Sequence, residues 1–363
     1  MEKKKFFFSF LFLFIYLLSI EYFHTNTKKQ KKRIGVINLP NGQNVGNILV
    51  KYAMYKKLEE FGFNSTIITP KLNNPRKKVD LTFINRTINS HLLIIKDNFT
   101  ELNEKDYDYL VLNSDQTWVN FNKKYFFDVA FLKFAENWKV KKFIYATSIG
   151  RDIWSFKSEE EKIAKKLIKN FSGISFREKG LVKLAKEHLG IKGILVLDPT
   201  LLIDKQYYLN EIKNYKNSLN KQEKFIFIYQ LNKDSLLEKT VLDSSEKFNY
   251  KINKFDLNKK DYIESFIFGI NNSQAVITDS FHGTIFSIIF NKPFISFMNT
   301  KVGRDRFNSL IEIFNLKKRI INSLKNDSVN INVLLEPLNL NQTLLNELRI
   351  FSINYIKKNL DLL

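Results

Sequence analysis

From residue 34 onward, short apolar runs alternate with longer stretches in which apolar residues recur every three or four positions. That alternation is the pattern of β-strands feeding α-helices in a parallel sheet. Ile34-Gly-Val-Ile-Asn38 reads as a first strand and runs into the turn-rich loop 40–46. The helix after it carries Ile48, Tyr52, Tyr55 and Leu58 on one face and is expected to stop at Phe61-Gly62, where glycine suits a left-handed cap. Further strands are predicted at 65–69, 109–112, 142–145, 173–176 and 193–197. A second series has strands at 225–229, 250–255, 275–278 and 293–297, and helices at 236–248, 261–271 and 284–290. Residues 333–363, rich in Leu and Ile, predict one or two amphipathic helices able to pack back on the first series. The expected fold class is therefore α/β: two Rossmann-like domains, 34–205 and 206–330, facing a cleft, with a helical tail over 331–363.

Composition narrows the function classes. At 44% hydrophobic and 26% charged, the 363 residues can bury sizeable cores, which excludes a disordered or low-complexity protein. The chain has no cysteine, which removes disulfides, thiolate metal sites and thiol nucleophiles. Its four histidines, His24, His91, His188 and His282, are too far apart for an H-x-x-x-H metal pair, and no metal is expected. The net charge is +21, of which residues 1–33 hold +6. A polyanionic partner is one reading of that charge; the short basic runs favour the other, lysines scattered over solvated faces. No RNA- or DNA-reading signature accompanies it, so no nucleic-acid partner is expected.

The segment 1–33 stands apart. Lys3-Lys-Lys5 precedes a nearly unbroken apolar run, Phe6–Ile20, and a basic stretch closes at Arg33. As a helix that run spans about 22 Å, short of the ~30 Å hydrocarbon core. A signal peptide without a small-x-small cleavage site, a marginal signal anchor, or a plain extension ahead of the domain all fit. The expectation is a cytoplasmic protein tethered to the inner membrane face through these residues.

Loops at the carboxyl ends of parallel strands are where such a fold binds ligand, and four of them are chemically loaded. Asn44-Val-Gly-Asn47 opens the first helix; Gly46 permits close backbone approach, and the alternative is a plain asparagine cap. Asn113-Ser-Asp-Gln-Thr-Trp118 follows the strand at 109–112. There Asp115 suits acid–base work and Trp118 a sugar-stacking face, or else Ser114 and Asp115 cap a helix and Trp118 fills the core. Ser114 and Gln116 join this candidate site. Arg177 stands at the mouth of the strand 173–176, its planar fork matched to a carboxylate or phosphate. Thr278-Asp-Ser-Phe-His-Gly-Thr284 is the strongest: His282 beside a helix N-terminus, with Asp279, Ser280, Gly283 and Thr284 around it, and Arg304 and Arg306 a little further on. Neither G-x-G-x-x-G nor G-x-x-x-x-G-K-[ST] occurs at these loops.

In order along the chain, NVGNILVKYAMYKKLEEFGF, NSDQTW, SFREK, VLDPTLL, ITDSFHGTIFSIIFNKPFISF and GRDRFNSL resemble the polysaccharide pyruvyl transferase family over about residues 34–325. The resemblance implies a glycosyltransferase-B-like fold. It also implies transfer of a pyruvyl group from phosphoenolpyruvate to sugar hydroxyls, forming a ketal and releasing phosphate. His282, Arg177 and Arg306 would then line the donor site. Phosphoenolpyruvate is a co-substrate, and no other cofactor is implied; the acceptor would be a saccharide, lipid- or nucleotide-linked. The chain departs from the family at three points. Asn113 replaces a common glycine, and Asn47 stands where relatives have aspartate or alanine. S-F-H-G replaces R-x-H-G, which leaves Arg304 or Arg306 to supply the missing arginine. A nucleotide-sugar glycosyltransferase on the same fold and a non-catalytic glycan- or anion-binding protein are the alternatives.

Overall fold

The computed structural model describes residues 31–363 apart from 43, 72–80, 89–90, 97, 120–125, 152, 216–222, 299–302 and 326–327. The apolar run Phe6–Ile20 lies outside the described residues. Among those described, no helix is long and apolar enough to cross a membrane.

Arg33–Leu363 form one compact unit built on two all-parallel sheets. The first contains β1 (Arg33–Ile37), β2 (Asn64–Pro70), β3 (Leu92–Ile95), β4 (Tyr109–Leu112), β5 (Lys141–Thr147), β6 (Gly173–Phe176) and β7 (Ile194–Leu195), in the order β3-β2-β1-β4-β5-β6-β7. The second contains β8 (Phe225–Tyr229), β9 (Lys251–Lys254), β10 (Ala275–Thr278), β11 (Phe294–Met298) and β12 (Ile320–Asn322), in the order β12-β11-β10-β8-β9. Each sheet reverses its strand order once, between β1 and β4 and between β8 and β10. At such reversals the loops part and leave a crevice at the strands' carboxyl ends.

The central strands are continuous apolar runs because helices cover both of their faces: β4, β8, β10 and β11 are buried at every position. The helix Val45–Glu60 goes beyond the one-faced amphipathic helix expected. It is wedged against β2, the helix Thr82–Ile88 and the turn Pro199–Leu201, and is buried on nearly all sides, Lys51 included. The tail is a single helix, Gln342–Asn359, lying on the first sheet. There Tyr355 donates to Ile144 O (2.8 Å) and Leu197 N donates to Ser352 Oγ (3.0 Å). Arg86, on the helix Thr82–Ile88, bridges Glu211 and Glu264 at 2.8 Å each and so ties the first sheet's surround to the second's.

Candidate active site

The site starts from the β1 and β4 loops of the first sheet. Asn44 is an exposed cap whose Oδ1 accepts from Gly46 N (2.8 Å). Asn47 and Lys51 follow on one helix face at i, i+4. After β4, Asn113 is locked inward by its donation to Asn38 Oδ1 (2.9 Å), and Ser114 Oγ donates to Ala146 O (2.7 Å). Asp115 then takes φ +132°, a conformation that costs a non-glycine residue about 1–3 kcal/mol and persists only where its surroundings over-determine it. Here they do: its carbonyl accepts from Thr117 N (2.7 Å) and Ser148 N (3.0 Å). The carboxylate is thereby presented to Gln116 N (2.8 Å), Asn47 Nδ2 (3.3 Å) and Arg177 Nη2 (3.4 Å). Burial pushes the Asp115 carboxyl up, but the Arg177 and His282 charges and these hydrogen bonds hold it below the usual range.

Arg177, at the end of β6, is buried and bonds Asp198 Oδ2 through Nη1 (2.9 Å). Asp198 follows β7 and is itself fixed by Thr200, whose N–H (3.0 Å) and hydroxyl (2.7 Å) donate to Oδ1. Its Oδ2 lies 3.5 Å from Nε2 of His282. Burial raises the Asp198 carboxyl, and His282 and Arg177 more than reverse that, leaving it an anion well below the carboxylate range.

The second sheet contributes the helices Phe281–Ile289 and Arg304–Phe314. The first begins earlier than the expected residue 284, because Ser280 caps it by accepting from Gly283 N (3.3 Å). His282 therefore projects from a helical turn, pressed against Gly46. The amides of Gly283 and Thr284 are already bonded to Ser280, so this helix N-terminus does not offer them to an anion. The second helix is docked by Asp305, whose Oδ2 accepts from Gly180 N (2.8 Å), and by Ser309, whose Oγ accepts from Lys179 N (3.0 Å). That docking carries Arg306 to the ring of Phe281. The guanidinium carbons of Arg177 and Arg306 lie 5.1 and 5.0 Å from the ring centre. Gln116, with its amide oxygen turned to Arg306, accepts from both terminal nitrogens at 3.0 Å. Burial and the Arg177 charge push the Arg306 guanidinium below its ordinary value.

Four buried polar atoms in this cleft have no hydrogen-bond partner among the described residues: Arg177 Nε, Arg306 Nε, His282 Nε2 and Glu178 Oε2. Arg177 is paired with Asp115 and Asp198 and has Glu178 Oε2 3.9 Å from its Nε, so among those residues each guanidinium keeps only Nε without a hydrogen bond, beside an imidazole.

Of the residues expected from sequence, the structure brings together Gly46, Asn47, Asp115, Gln116, Arg177, His282 and Arg306. Others hold the frame. Trp118 is fully buried, stacks on Phe131 and donates to Ala130 O (3.2 Å); no face is open to a sugar. Asp279 is spent on Leu231 N (2.6 Å), Asn232 N (2.8 Å) and Asn232 Nδ2 (2.9 Å), tethering the loop after β8. Thr284 packs on Ser296 (2.7 Å), Gly283 leaves room for Thr278, and Arg304 is exposed at the start of its helix. Sequence reasoning passed over Asp198, Glu178, Phe281 and Lys51. The aspartate ending V-L-D-P-T at a strand terminus was the one usable signal.

Two sheets whose carboxyl ends meet at one cleft place the protein in the glycosyltransferase-B-like class of α/β folds. Solved structures agree on the fold. Arabidopsis thaliana UGT89C1 complexed with UDP-L-rhamnose is 10% identical, with TM-score 0.53 over 92% of this chain and 98% of that one. UDP-GlcNAc 2-epimerase from Neisseria meningitidis bound to UDP-GlcNAc is 9% identical, with TM-score 0.50 over 90% of this chain and 100% of that one. No curated protein matches the sequence. Residues 44–301 match the polysaccharide pyruvyl transferase family. The chain belongs to that family and is a transferase.

Proposed function

We propose that the protein transfers a pyruvyl group from phosphoenolpyruvate to two hydroxyls of a saccharide, lipid- or nucleotide-linked, on the way to a cell-surface polysaccharide. The observation that carries this is the pair Arg177 and Arg306 on one phenylalanine ring, each with Nε free of a hydrogen bond among the described residues, and an imidazole at hand. Phosphoenolpyruvate has a phosphate and a carboxylate, and two guanidiniums match two anions. Arg306 takes the place of the arginine missing before His282.

In the reaction, C3 of the enol gains a proton and the first sugar oxygen bonds C2. The C2–O bond to phosphate breaks, and the second sugar oxygen closes the ketal. Of the two hydroxyl protons, one balances the new methyl group and the other leaves with phosphate. His282, whose Nε2 lies 3.5 Å from Asp198 Oδ2, is the proton donor to C3. Asp115, kept ionised by Arg177, accepts from the first hydroxyl. The guanidiniums stabilise the departing phosphate.

The test is calorimetric titration of the full chain with phosphoenolpyruvate and, separately, UDP-N-acetylglucosamine, repeated on Arg306→Gln, then phosphate release with candidate acceptors. Binding of phosphoenolpyruvate that Arg306→Gln weakens supports the reading. Binding of the sugar nucleotide without phosphoenolpyruvate overturns it.

A further inference from the structure

Lys51 has no role in that scheme, yet it is a charged side chain with 1% of its surface exposed, one helical turn from the site. It makes no ion pair among the described residues; its Nζ donates to Asn47 Oδ1 at 2.6 Å. The same amide oxygen accepts from Gly42 N (3.3 Å). With two donors on its oxygen, the Asn47 amide has its nitrogen left to face Asp115, and Nδ2 donates to Oδ2 at 3.3 Å. An ammonium can only donate, so while Lys51 is charged it adds to Gly42 N in holding the amide oxygen; a neutral amine has a lone pair and leaves that hold to Gly42 N.

We propose that Lys51 is a positioning residue for the acceptor side of the site: through the Asn47 amide it helps to fix the Asp115 carboxylate, and the fix is full only while the amine is charged. This rests on Asp115 serving as the base in the reaction above. Burial pushes the amine down to about 7, and Asp115, facing it from the β4 loop, is the group that resists. Asp115 in turn faces Arg177 from β6 and His282 from the second sheet. Loss of the Lys51 proton therefore loosens the Asn47 side and leaves Asp115 restrained chiefly by Gln116 N and Arg177. Asn47 matters here: with the aspartate some relatives carry, Lys51 would have an anionic partner and would stay charged to higher pH.

The test needs no substrate at its first stage. Full-length protein labelled with [13Cε]lysine is titrated by NMR, with Lys51 assigned by loss of its signal in Lys51→Met or, if that variant fails to fold, Lys51→Arg. One lysine is expected to titrate near pH 7, with its midpoint lower by roughly half a pH unit or more in Asp115→Asn and higher in Asn47→Asp. At the second stage, turnover of wild-type protein falls as pH rises through the same midpoint. Lys51→Met is lower by about tenfold in kcat, without that limb and with KM for phosphoenolpyruvate unchanged. Lys51→Arg, which keeps donor and charge, recovers turnover and moves the limb to higher pH. A Lys51 signal that titrates at the ordinary lysine value, or a midpoint unmoved by Asp115→Asn, overturns the proposal. Wild-type protein that shows the coupled titration but releases no phosphate overturns the donor assignment instead and leaves the coupling of Lys51 to Asp115 standing.

Discussion

Gly46 lies directly against the imidazole of His282: a methyl group built on Gly46 would overlap the ring, Nδ1 first. The loop after β1 of one sheet and the first helical turn after β10 of the other thus meet without a side chain between them. The glycine at 46 is set by this approach, since its φ is not among the positive ones.

Gly46→Ala is therefore expected to move His282 rather than to unfold the helix it opens. Displacement of a catalytic group by about 1 Å can cost on the order of 100-fold in rate. The expected outcome is a kcat lower by 10- to 100-fold, as order-of-magnitude bounds from the same principle, with phosphoenolpyruvate binding nearly intact. Steady-state kinetics beside calorimetry separates the two. Normal kcat in Gly46→Ala would show that the imidazole needs no such seat.

Asp198 holds Arg177 by a 2.9 Å ion pair with both side chains buried. Removing one partner of a buried pair leaves a stranded charge and typically costs about 3–5 kcal/mol, whereas the pair itself is worth much less. Asp198→Ala should therefore lower the unfolding free energy obtained from urea denaturation by an amount in that range. Asp198→Asn keeps the volume and the contact with Thr200 and should fold better. Both should depress kcat through His282, by at least about 100-fold if the carboxylate supports the proton donor. Asp198→Asn with full turnover would remove Asp198 from the reaction.

Gln116 and Arg306 make a second two-point contact across the cleft. A phosphate needs those guanidinium nitrogens, so Gln116 competes with it. Gln116→Ala is expected to tighten or leave unchanged the binding of phosphoenolpyruvate, while Arg306→Lys weakens it by tenfold or more, because an ammonium lacks the fork. Calorimetric affinities for the two variants decide. Equal weakening by both would mean that Gln116 holds Arg306 in place for the ligand.

The sheets were legible in the sequence because strands covered on both faces are unbroken apolar runs, as at Phe225–Tyr229. The edge strands β3 and β12 escaped since four and three residues at a sheet margin carry no pattern of their own. The strand-end loops were legible as polar clusters, and the ordering of motifs pointed to the family. What sequence cannot display is which polar atom is already spent. Asp279 and Asp115 both follow an apolar strand and each accepts from three donors, yet those on Asp279 all come from Leu231 and Asn232, while those on Asp115 include Arg177 and Asn47 in the cleft. Trp118 reads equally as a sugar platform or a core residue until Phe131 is seen on its face. Lys51 was hidden by its own composition: in a lysine-rich chain, a lysine four residues after an asparagine looks solvated.

Lys51 also makes a prediction about stability that is independent of any substrate. Its amine is ordinarily protonated up to 10.5 and in the fold only up to about 7. Below pH 7 both folded and unfolded chains hold the proton, and the fold bears the whole cost of burying a cation, about 1.4 kcal/mol for each tenfold loss of the amine's proton affinity. Between pH 7 and 10.5 the unfolded chain binds more protons than the folded one, so stability rises with pH across that window. Asp198 and Asp115 work in the opposite region: their folded values are depressed, so their contribution is present above pH ~4 and is lost as pH falls below it. Lys51→Met deletes the cation and one hydrogen bond, and only the cation's part depends on pH. Its melting temperature relative to wild type should accordingly be highest near pH 6 and should fall steadily toward pH 9.5, even though turnover is reduced. Thermal melts at those two pH values are enough to check it: an offset that stays constant between them would mean that the buried amine keeps its proton throughout, and that the charge on Lys51 is compensated by the fold.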